Sequence, residues 1–171
     1  MTLRIRRASP SDYTSVGALT VRAYVDGGHL PPEADYQHLL ADAETRAREA
    51  ELWVAVEEDG AVLGSVTFAA PGSRYHEVAG PDEGDVRMLA VAGAAQGRGI
   101  GEALMRTCID RGRELGLTAL ALSTQPSMRA AHRIYARLGF ERTPARDWEP
   151  VPGVSLLAYR LDLSKDQPVA R

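Results

Sequence analysis

The residues with the clearest chemical potential form a glycine-dense turn. Gly97, Gly99 and Gly101 lie within five residues, after a predicted strand and at the start of a predicted helix. Glycine lets the backbone approach a ligand and adopt positive φ, so successive N–H groups can converge on one anion at the positive end of the helix dipole. The turn therefore predicts a phosphate site, and its three glycines suit a diphosphate. The same pattern is compatible with a strand-to-helix connection that binds no ligand.

Two common phosphate-binding motifs do not fit this turn. A Walker A loop needs Lys and then Ser or Thr after its last glycine, whereas Gly101 is followed by Glu102 and Ala103. A dinucleotide-binding fingerprint needs G-x-G-x-x-G after the first strand and an acidic residue about twenty positions later. Here the glycines are spaced two and two, and Ser123 and Thr124 follow the next predicted strand. The sequence excludes a P-loop NTPase and disfavours a dinucleotide-binding site.

The order of the predicted strands and helices around this turn indicates one mixed α/β domain over residues 1–163, followed by a polar tail over residues 164–171. Strands are predicted over residues 3–7, 52–56, 62–68, 85–91, 118–122 and 154–161, with a further short strand after Phe140. Helices are predicted after Ser9, over residues 36–47, after the glycine turn and after Ser127, which can cap the last of them. Residues 71–84 are rich in Gly and Pro, which predicts a surface loop.

Composition narrows the class of protein. The 171 residues include 20 Lys and Arg against 23 Asp and Glu, for a net charge of −3, and 44% are hydrophobic. These values are typical of a globular domain and give no electrostatic basis for general nucleic-acid or membrane binding. Cys108 is the single cysteine, so we expect no intramolecular disulfide and no bound metal. Because no apolar run is long enough for a signal peptide or a membrane span, we expect a cytoplasmic protein.

Two motifs carry a resemblance to a known family. The segment from Leu89 to Gly101, LAVAGAAQGRGIG, resembles the acyl-CoA signature of the GNAT superfamily of N-acetyltransferases. That signature is Gln or Arg, two residues, Gly, one residue, then Gly or Ala, which Gln96, Gly99 and Gly101 match. A second segment, AHRIYARLGF, ends at Phe140 and resembles the family's helix and strand with Tyr, three residues and Gly-Phe. The resemblance implies an α/β fold of mixed α+β type, with a central, mostly antiparallel sheet of six to seven strands and about four helices.

The resemblance also implies an activity. Similar proteins are acetyl-CoA-dependent N-acetyltransferases, which transfer an acetyl group to a primary amine by direct attack in a ternary complex and release CoA. The implied acceptor is a small-molecule or a peptide amine. Family members are often homodimers, although no interface follows from this sequence. The alternative is a non-catalytic acyl-CoA-binding sensor or interaction module, for which Met128 leaves room because the family often has Asn at that position.

The resemblance places the cofactor on the backbone. In similar proteins the strand before the glycine turn diverges from its neighbour, and the pantetheine arm lies in the cleft between them. The residues expected to bind cofactor are Leu89, Ala90, Val91, Gln96, Gly97, Arg98, Gly99, Ile100, Gly101, Ser127 and Tyr135. Arg129, Arg133 and Arg137 are spaced four apart on one predicted helix face. They either neutralise the 3′-phosphate of CoA or form a solvated basic stripe.

Acyl transfer from a thioester to an amine needs a neutral amine, a donor for the developing oxyanion and a proton for the departing thiolate. The resemblance assigns these roles to Asp85 as base, the N–H of Leu89 as oxyanion donor and the phenol of Tyr135 as general acid. Glu83, His76 or a water molecule are alternative bases. A core aromatic is the alternative role of Tyr135.

The acceptor pocket is expected on loops that similar proteins use for this purpose. Tyr24, Tyr75, His76 and Trp148 lie on such predicted loops, together with Asp26 and Glu149. Their aromatic and acidic groups are compatible with a cationic small molecule and equally with a peptide amine.

Overall fold

The computed structural model of the protein describes residues 2–30 and 35–165. Within these residues there are eight strands and five α-helices: β1 Arg4–Arg7, α1 Tyr13–Asp26, α2 Tyr36–Ala41, α3 Ala43–Glu49, β2 Glu51–Val56, β3 Val62–Ala69, β4 Glu83–Val91, α4 Ile100–Glu114, β5 Ala119–Thr124, α5 Arg129–Leu138, β6 Glu141–Arg142, β7 Trp148–Val151 and β8 Val154–Asp162. The mixed α/β prediction is confirmed, with one strand and one helix more than expected. Beyond Lys165 the predicted polar tail lies outside the described residues. None of the described helices is long and apolar enough to span a membrane.

The strands form one sheet in the order β1-β2-β3-β4-β5-β8-β6, and β7 pairs with β8. Neighbouring strands are antiparallel except for β4 and β5, which are parallel. Two adjacent parallel strands need a crossover, and the segment containing α4 supplies it. The glycine turn therefore lies where the chain leaves β4 and enters this crossover helix.

Helices cover both faces of the sheet. On one face, Ala55 of β2 belongs to the same core cluster as Leu104 of α4. On the other, Val54 of β2 clusters with Val16 of α1. Successive side chains of a strand point to opposite faces, so β2 is buried on both sides, which explains its uninterrupted apolar run over residues 52–56.

The predicted helix over residues 36–47 is two helices. Asp42 ends α2 and caps α3, since its Oδ1 accepts a hydrogen bond from the N–H of Thr45 at 3.1 Å. The apolar spacing predicts one buried face, and Leu40 and Ala43 are in the core, whereas Tyr36 and Leu39 of the same predicted face are each 37% exposed. It gave no sign of the break, because an Asp side chain can compete with the backbone and start a new helix within an apolar pattern.

Several residues expected on loops lie in regular structure. Trp148 and Glu149 are in β7, where Pro150 interrupts the strand pattern in the sequence. Proline is tolerated there because β7 lies at the edge of the sheet, paired with β8 alone among the described strands. Tyr24 and Asp26 are in the last turn of α1, which continues up to Gly27.

Candidate active site

A cleft opens between β4 and β5. The two strands pair only over residues 83–86 of β4, and β4 then continues to Val91 with β3 as its sole strand partner in the described chain. Met88 has a φ of 55°, in the left-handed region, and the β3 register shifts between Ser65 and Thr67 opposite it. Such a bulge bends a strand, so it accounts for the separation of β4 from β5. The predicted divergence before the glycine turn is therefore present.

The backbone of the last three residues of β4 is available to a ligand. The side chains of Leu89 and Val91 pack against the core around α4, and Ala90 is buried. Ala90 pairs with Ser65 of β3, whereas the opposite edge of this segment has no strand partner in residues 2–30 and 35–165. An extended arm with amide groups can add to such an edge as a strand would.

The glycine turn has the geometry that an anion needs. Gly97 and Gly99 have φ values of 80° and 77°, and a Cβ at either position would meet no atom within 4 Å. The N–H groups of Gly97, Gly99 and Gly101 make no hydrogen bond to any described residue. They precede or begin α4, whose dipole is positive there. Open space above unpaired N–H groups fits the diphosphate of a coenzyme.

Side chains around the turn are engaged elsewhere. The guanidinium of Arg98 lies 3.0 Å from a carboxylate oxygen of Glu57 in the β2–β3 connection. Arg137 of α5 pairs at the same distance with Glu102. Gln96 is exposed. The turn therefore offers a ligand chiefly its backbone, and the pair on Arg137 lowers the charge available from the α5 arginines.

The start of α5 differs from the prediction. The helix begins after Met128 without a side-chain cap, so the expected cap by Ser127 is wrong. The hydroxyl of Ser127 instead lies 2.8 Å from Nδ1 of His29, which follows α1. Met128 Sδ lies 3.5 Å from the hydroxyl of Thr124. The side chain at the position where the family often has Asn is thus directed toward the end of β5.

Tyr135 of α5 is buried among aromatic side chains. Its ring centroid lies 5.6 Å from that of Tyr159 and 5.8 Å from that of Phe140. Burial raises the pKa of Tyr135, Tyr159 raises it further, and the nearby hydroxyl of Thr124 lowers it in part. The phenol is therefore protonated at neutral pH and can serve as a proton donor.

Thr124 and His132 form a short network behind this phenol. The Thr124 hydroxyl lies 3.3 Å from Nε2 of His132, which also lies 3.1 Å from the carbonyl oxygen of Gln125. A carbonyl only accepts, so the contact with Gln125 requires the proton on Nε2. His132 can then donate toward the Thr124 hydroxyl, whose own proton is directed to Met128 Sδ. The sequence motifs did not single out His132, although its spacing of three from Tyr135 places both on one helix face.

Asp85 is buried and holds the preceding loop. Its Oδ2 accepts hydrogen bonds from the N–H groups of Glu77, Val78 and Ala79 at 2.7, 2.7 and 3.1 Å. Burial raises the pKa of Asp85 and these backbone hydrogen bonds offset only part of the rise. Its Oδ1 makes no hydrogen bond to a described residue. A carboxylate with a raised pKa is the better proton acceptor, which favours Asp85 over Glu83 as base.

Glu83 is the centre of an ion cluster. Arg146 and Arg160 each lie 2.6 Å from it, and the N–H of Gly80 donates at 2.8 Å. Burial acts to raise the pKa of Glu83, but these hydrogen bonds outweigh it and lower the pKa to about 2. Glu83 is therefore a structural anion that joins the start of β4 to β8. His76, the other alternative base, directs Nε2 to the carbonyl oxygen of Glu83 at 2.9 Å.

We expect Glu83→Ala to destabilise the fold by about 2 kcal/mol, because it leaves two partly buried arginines without an anion. The measurement is urea unfolding at neutral pH. Glu114→Ala is the matched control, since Glu114 pairs with Arg111 but keeps 65% of its side chain exposed, and we expect a loss below about 0.5 kcal/mol. The wild-type advantage over Glu83→Gln should shrink as pH falls below the ordinary glutamate pKa toward 2, because the native carboxylate then takes up its proton. Equal losses in Glu83→Ala and Glu114→Ala would contradict this role.

The predicted acceptor residues do not all meet. Tyr75 is buried and clusters with Met88, and Tyr24 packs against the same cluster. His76 faces the backbone of Glu83. The indole N–H of Trp148 is buried and has no partner among the described residues. Only the two tyrosines therefore lie together beside the bulge of β4.

Two arginines that the sequence motifs did not single out lie on this same side. Arg46 and Arg87 both interact electrostatically with Tyr24 and Tyr75. Both arginines occupy positions in the sequence at which a charged residue is unusual. Arg87 is a charge inside a predicted strand, and Arg46 follows Ala43 by three positions, on the predicted apolar face of its helix.

Comparison with known proteins identifies relatives of this chain. The model of the Acetyltransferase (GNAT) family matches residues 16–140. A mycothiol acetyltransferase from Cellulomonas flavigena is 36% identical over 115 residues, which are 63% of this chain and 33% of that protein. The chain spans about a third of the length of the mycothiol acetyltransferases that it matches.

Solved structures share the whole fold. A GNAT acetyltransferase from Staphylococcus aureus Mu50 superposes with a TM-score of 0.76 at 15% identity, covering 95% of this chain and 99% of that one. An acetyltransferase from Salmonella typhimurium, described as putative and solved with its cofactor acetyl-CoA, gives a TM-score of 0.67 at 23% identity, covering 98% of each chain. The central sheet and its helices are thus those of known acetyltransferase structures.

Proposed function

Because the chain belongs to the GNAT acetyltransferase family, we propose that it is an acetyl-CoA-dependent N-acetyltransferase. It transfers an acetyl group to a primary amine by direct attack in a ternary complex. The observation that carries this proposal is the glycine turn at the start of α4, which has unpaired N–H groups at Gly97, Gly99 and Gly101 and open space at the Cβ positions of Gly97 and Gly99. The structure of the similar Salmonella protein with its cofactor acetyl-CoA supports the same cofactor.

In the proposed complex the backbone holds the cofactor. Acetyl-CoA supplies the acetyl group as a thioester. N–H groups of residues 97–101 bind its diphosphate, and the free edge of residues 89–91 pairs with its pantetheine amides. The N–H of Leu89 donates a hydrogen bond to the carbonyl oxygen of the thioester, on which negative charge develops during the transfer. The turn and the strand edge together align the thioester with Tyr135.

The proton transfers fall to two buried side chains. Asp85 accepts a proton from the amine, directly or through water, since its raised pKa makes it a usable base. Tyr135 donates its phenolic proton to the departing thiolate, and Thr124 donates toward the phenolate that this leaves. The site roles of Gln96, Arg98, Ser127, His76 and Trp148 stay predictions, as does a homodimer.

The test is amine-dependent release of thiol from acetyl-CoA, followed with a thiol reagent, together with mass spectrometry of the acetylated amine. We expect saturable release with at least one primary amine and no acetylated protein intermediate, because attack is direct. Acetyl-CoA binding by calorimetry without turnover on a broad amine panel would favour the non-catalytic acyl-CoA-binding module instead. Absence of binding would overturn both functions.

A further inference from the structure

Arg46 carries a buried charge that no carboxylate of the described chain contacts directly, although Asp42 attracts it electrostatically. The residue is 0% exposed. Its guanidinium donates to the hydroxyl of Thr67 at 3.2 Å and to the carbonyl oxygen of Leu40 at 2.7 Å, and its Nε has no partner. No carboxylate in residues 2–30 or 35–165 forms an ion pair with it. A buried cation of this kind is costly unless an anion approaches it.

Arg87 lies next to it and keeps donors free. Arg87 is directly opposite Thr67 in the β3–β4 ladder, so its side chain shares that face of the sheet. Its guanidinium lies 5.7 Å from the ring centre of Tyr75 and donates to the Tyr36 hydroxyl at 3.3 Å. Glu77 forms an ion pair with it at 3.5 Å and keeps 34% of its side chain exposed, whereas Arg87 itself is 14% exposed. Asp85 also attracts the guanidinium electrostatically. Its other N–H groups make no hydrogen bond within the described chain.

The two arginines border the proposed reaction centre. The phenol of Tyr24 is in electrostatic contact with Tyr36, Tyr135, Arg87 and Arg46. Its ring centroid lies 6.5 Å from that of Tyr36, whose hydroxyl accepts a hydrogen bond from Arg87, so Tyr24 lies near both the arginines and the proposed acid. An acceptor that presents its amine to the thioester would extend its other end toward Arg87.

We propose that the acceptor is an amino acid, whose carboxylate is bound by Arg87 and the phenols of Tyr24 and Tyr36. This inference rests on the proposed N-acetyltransferase function and names its acceptor. A guanidinium with free N–H groups binds a carboxylate with two parallel hydrogen bonds. Arg46 adds positive potential from beneath, which the low local dielectric strengthens. The cationic acceptor that the loop composition allowed would face these charges unfavourably.

The carboxylate takes no part in the bond changes. The amine nitrogen forms a bond to the acetyl carbon as the C–S bond breaks and its electron pair goes to sulfur. Asp85 or a water beside it takes the proton that nitrogen loses, and Tyr135 supplies the proton that sulfur gains. The products are an N-acetyl amino acid and CoA, and no oxidant or reductant is needed.

The experiment compares matched acceptors on the wild-type protein. Thiol release from acetyl-CoA is measured for each of the common L-amino acids, for its carboxamide and for the corresponding decarboxylated amine. We expect at least one amino acid for which kcat/KM exceeds that of its carboxamide by roughly a hundredfold, since two charge-assisted hydrogen bonds are lost in the amide. Each pair differs only in the carboxylate, so side-chain preference cancels.

Substitutions of Arg87 test whether this residue causes the preference for a carboxylate. Arg87→Gln should lower kcat/KM roughly a hundredfold for the preferred amino acid and much less for its carboxamide, mostly through KM. Arg87→Lys should fall between, because it keeps the charge but not the planar fork. Arg113→Gln is the control: an exposed arginine near the end of α4, expected to change neither acceptor's kinetics. Thermal unfolding shows whether each variant is folded.

The outcomes separate this inference from the function on which it rests. Equal rates on amino acids and carboxamides, or preference for a carboxylate-free amine, would overturn the amino acid acceptor and leave the transferase intact. Acetyl-CoA binding without turnover of any amino acid would also overturn it. Loss of cofactor binding itself would remove the transferase as well. An equal loss for acid and amide in Arg87→Gln would show that Arg87 does not bind the carboxylate.

Discussion

Replacing Gly99 by leucine is expected to raise the dissociation constant of acetyl-CoA roughly a hundredfold, because two or more hydrogen bonds to the diphosphate are lost, worth together about 3 kcal/mol. Gly99 has a φ of 77° and no atom within 4 Å of the position a Cβ would take. The leucine side chain would occupy the space proposed for the diphosphate. Calorimetric titration with acetyl-CoA and with CoA measures the effect.

A matched substitution separates lost binding from backbone strain. Gly116 follows the other end of α4, has a φ of 71° and also has open space around its Cβ position. Leucine in the left-handed region costs about 1–2 kcal/mol at either glycine. Gly116→Leu should therefore lose similar stability and keep wild-type affinity for acetyl-CoA. If the two variants bind acetyl-CoA equally well, the glycine turn does not hold the diphosphate.

Replacing Tyr135 by phenylalanine is expected to lower kcat by roughly 10²–10³, the usual contribution of a positioned general acid. The ring is packed among Phe140 and Tyr159 and would stay in place, because only one oxygen is removed. Since the proposed role is proton donation and not cofactor binding, affinity for acetyl-CoA should stay close to wild type. Stopped-flow measurement of thiol release, with calorimetry for affinity, checks both quantities.

Neighbouring side chains give the controls for Tyr135. Tyr159→Phe removes the same group from the adjoining ring, 5.6 Å away between centroids, and should leave kcat nearly unchanged. Thr124→Val removes the donor toward the phenolate, so its kcat should fall between wild type and Tyr135→Phe. A wild-type kcat in Tyr135→Phe would assign the proton to another donor and leave Tyr135 as a core aromatic.

The glycine turn and the Tyr-x-x-x-Gly-Phe segment were sufficient to predict the family and the architecture. Both are local patterns in which residue type fixes backbone conformation, as with the positive φ of Gly97, Gly99 and Gly139. The strands around them were equally readable from apolar runs, including the β2–β3 hairpin. The break at Asp42 and the edge strand β7 were missed because capping and edge pairing depend on which partner is present.

The electrostatic roles of the acidic residues were decided only by the tertiary structure. In the sequence Glu83 and Asp85 are two carboxylates at the start of a strand, and either could be the base. Folding brings Arg146 and Arg160 to Glu83, which lowers its pKa. It also buries Asp85, and burial raises the pKa of that carboxyl more than the three loop N–H groups lower it. Such shifts depend on distance and burial between segments remote in sequence, which residue type alone does not contain.

The sequence by itself determined what kind of fold this chain adopts and which turn can hold a diphosphate, because these follow from backbone preferences of adjacent residues. Only the tertiary structure decided what surrounds the proposed acceptor site. Arg46 and Arg87 are 41 positions apart in the chain, and the packing of α3 against the sheet places them on one face beside Tyr24. The positive charge of that pocket comes from side chains on different elements, so it arises only when those elements pack together.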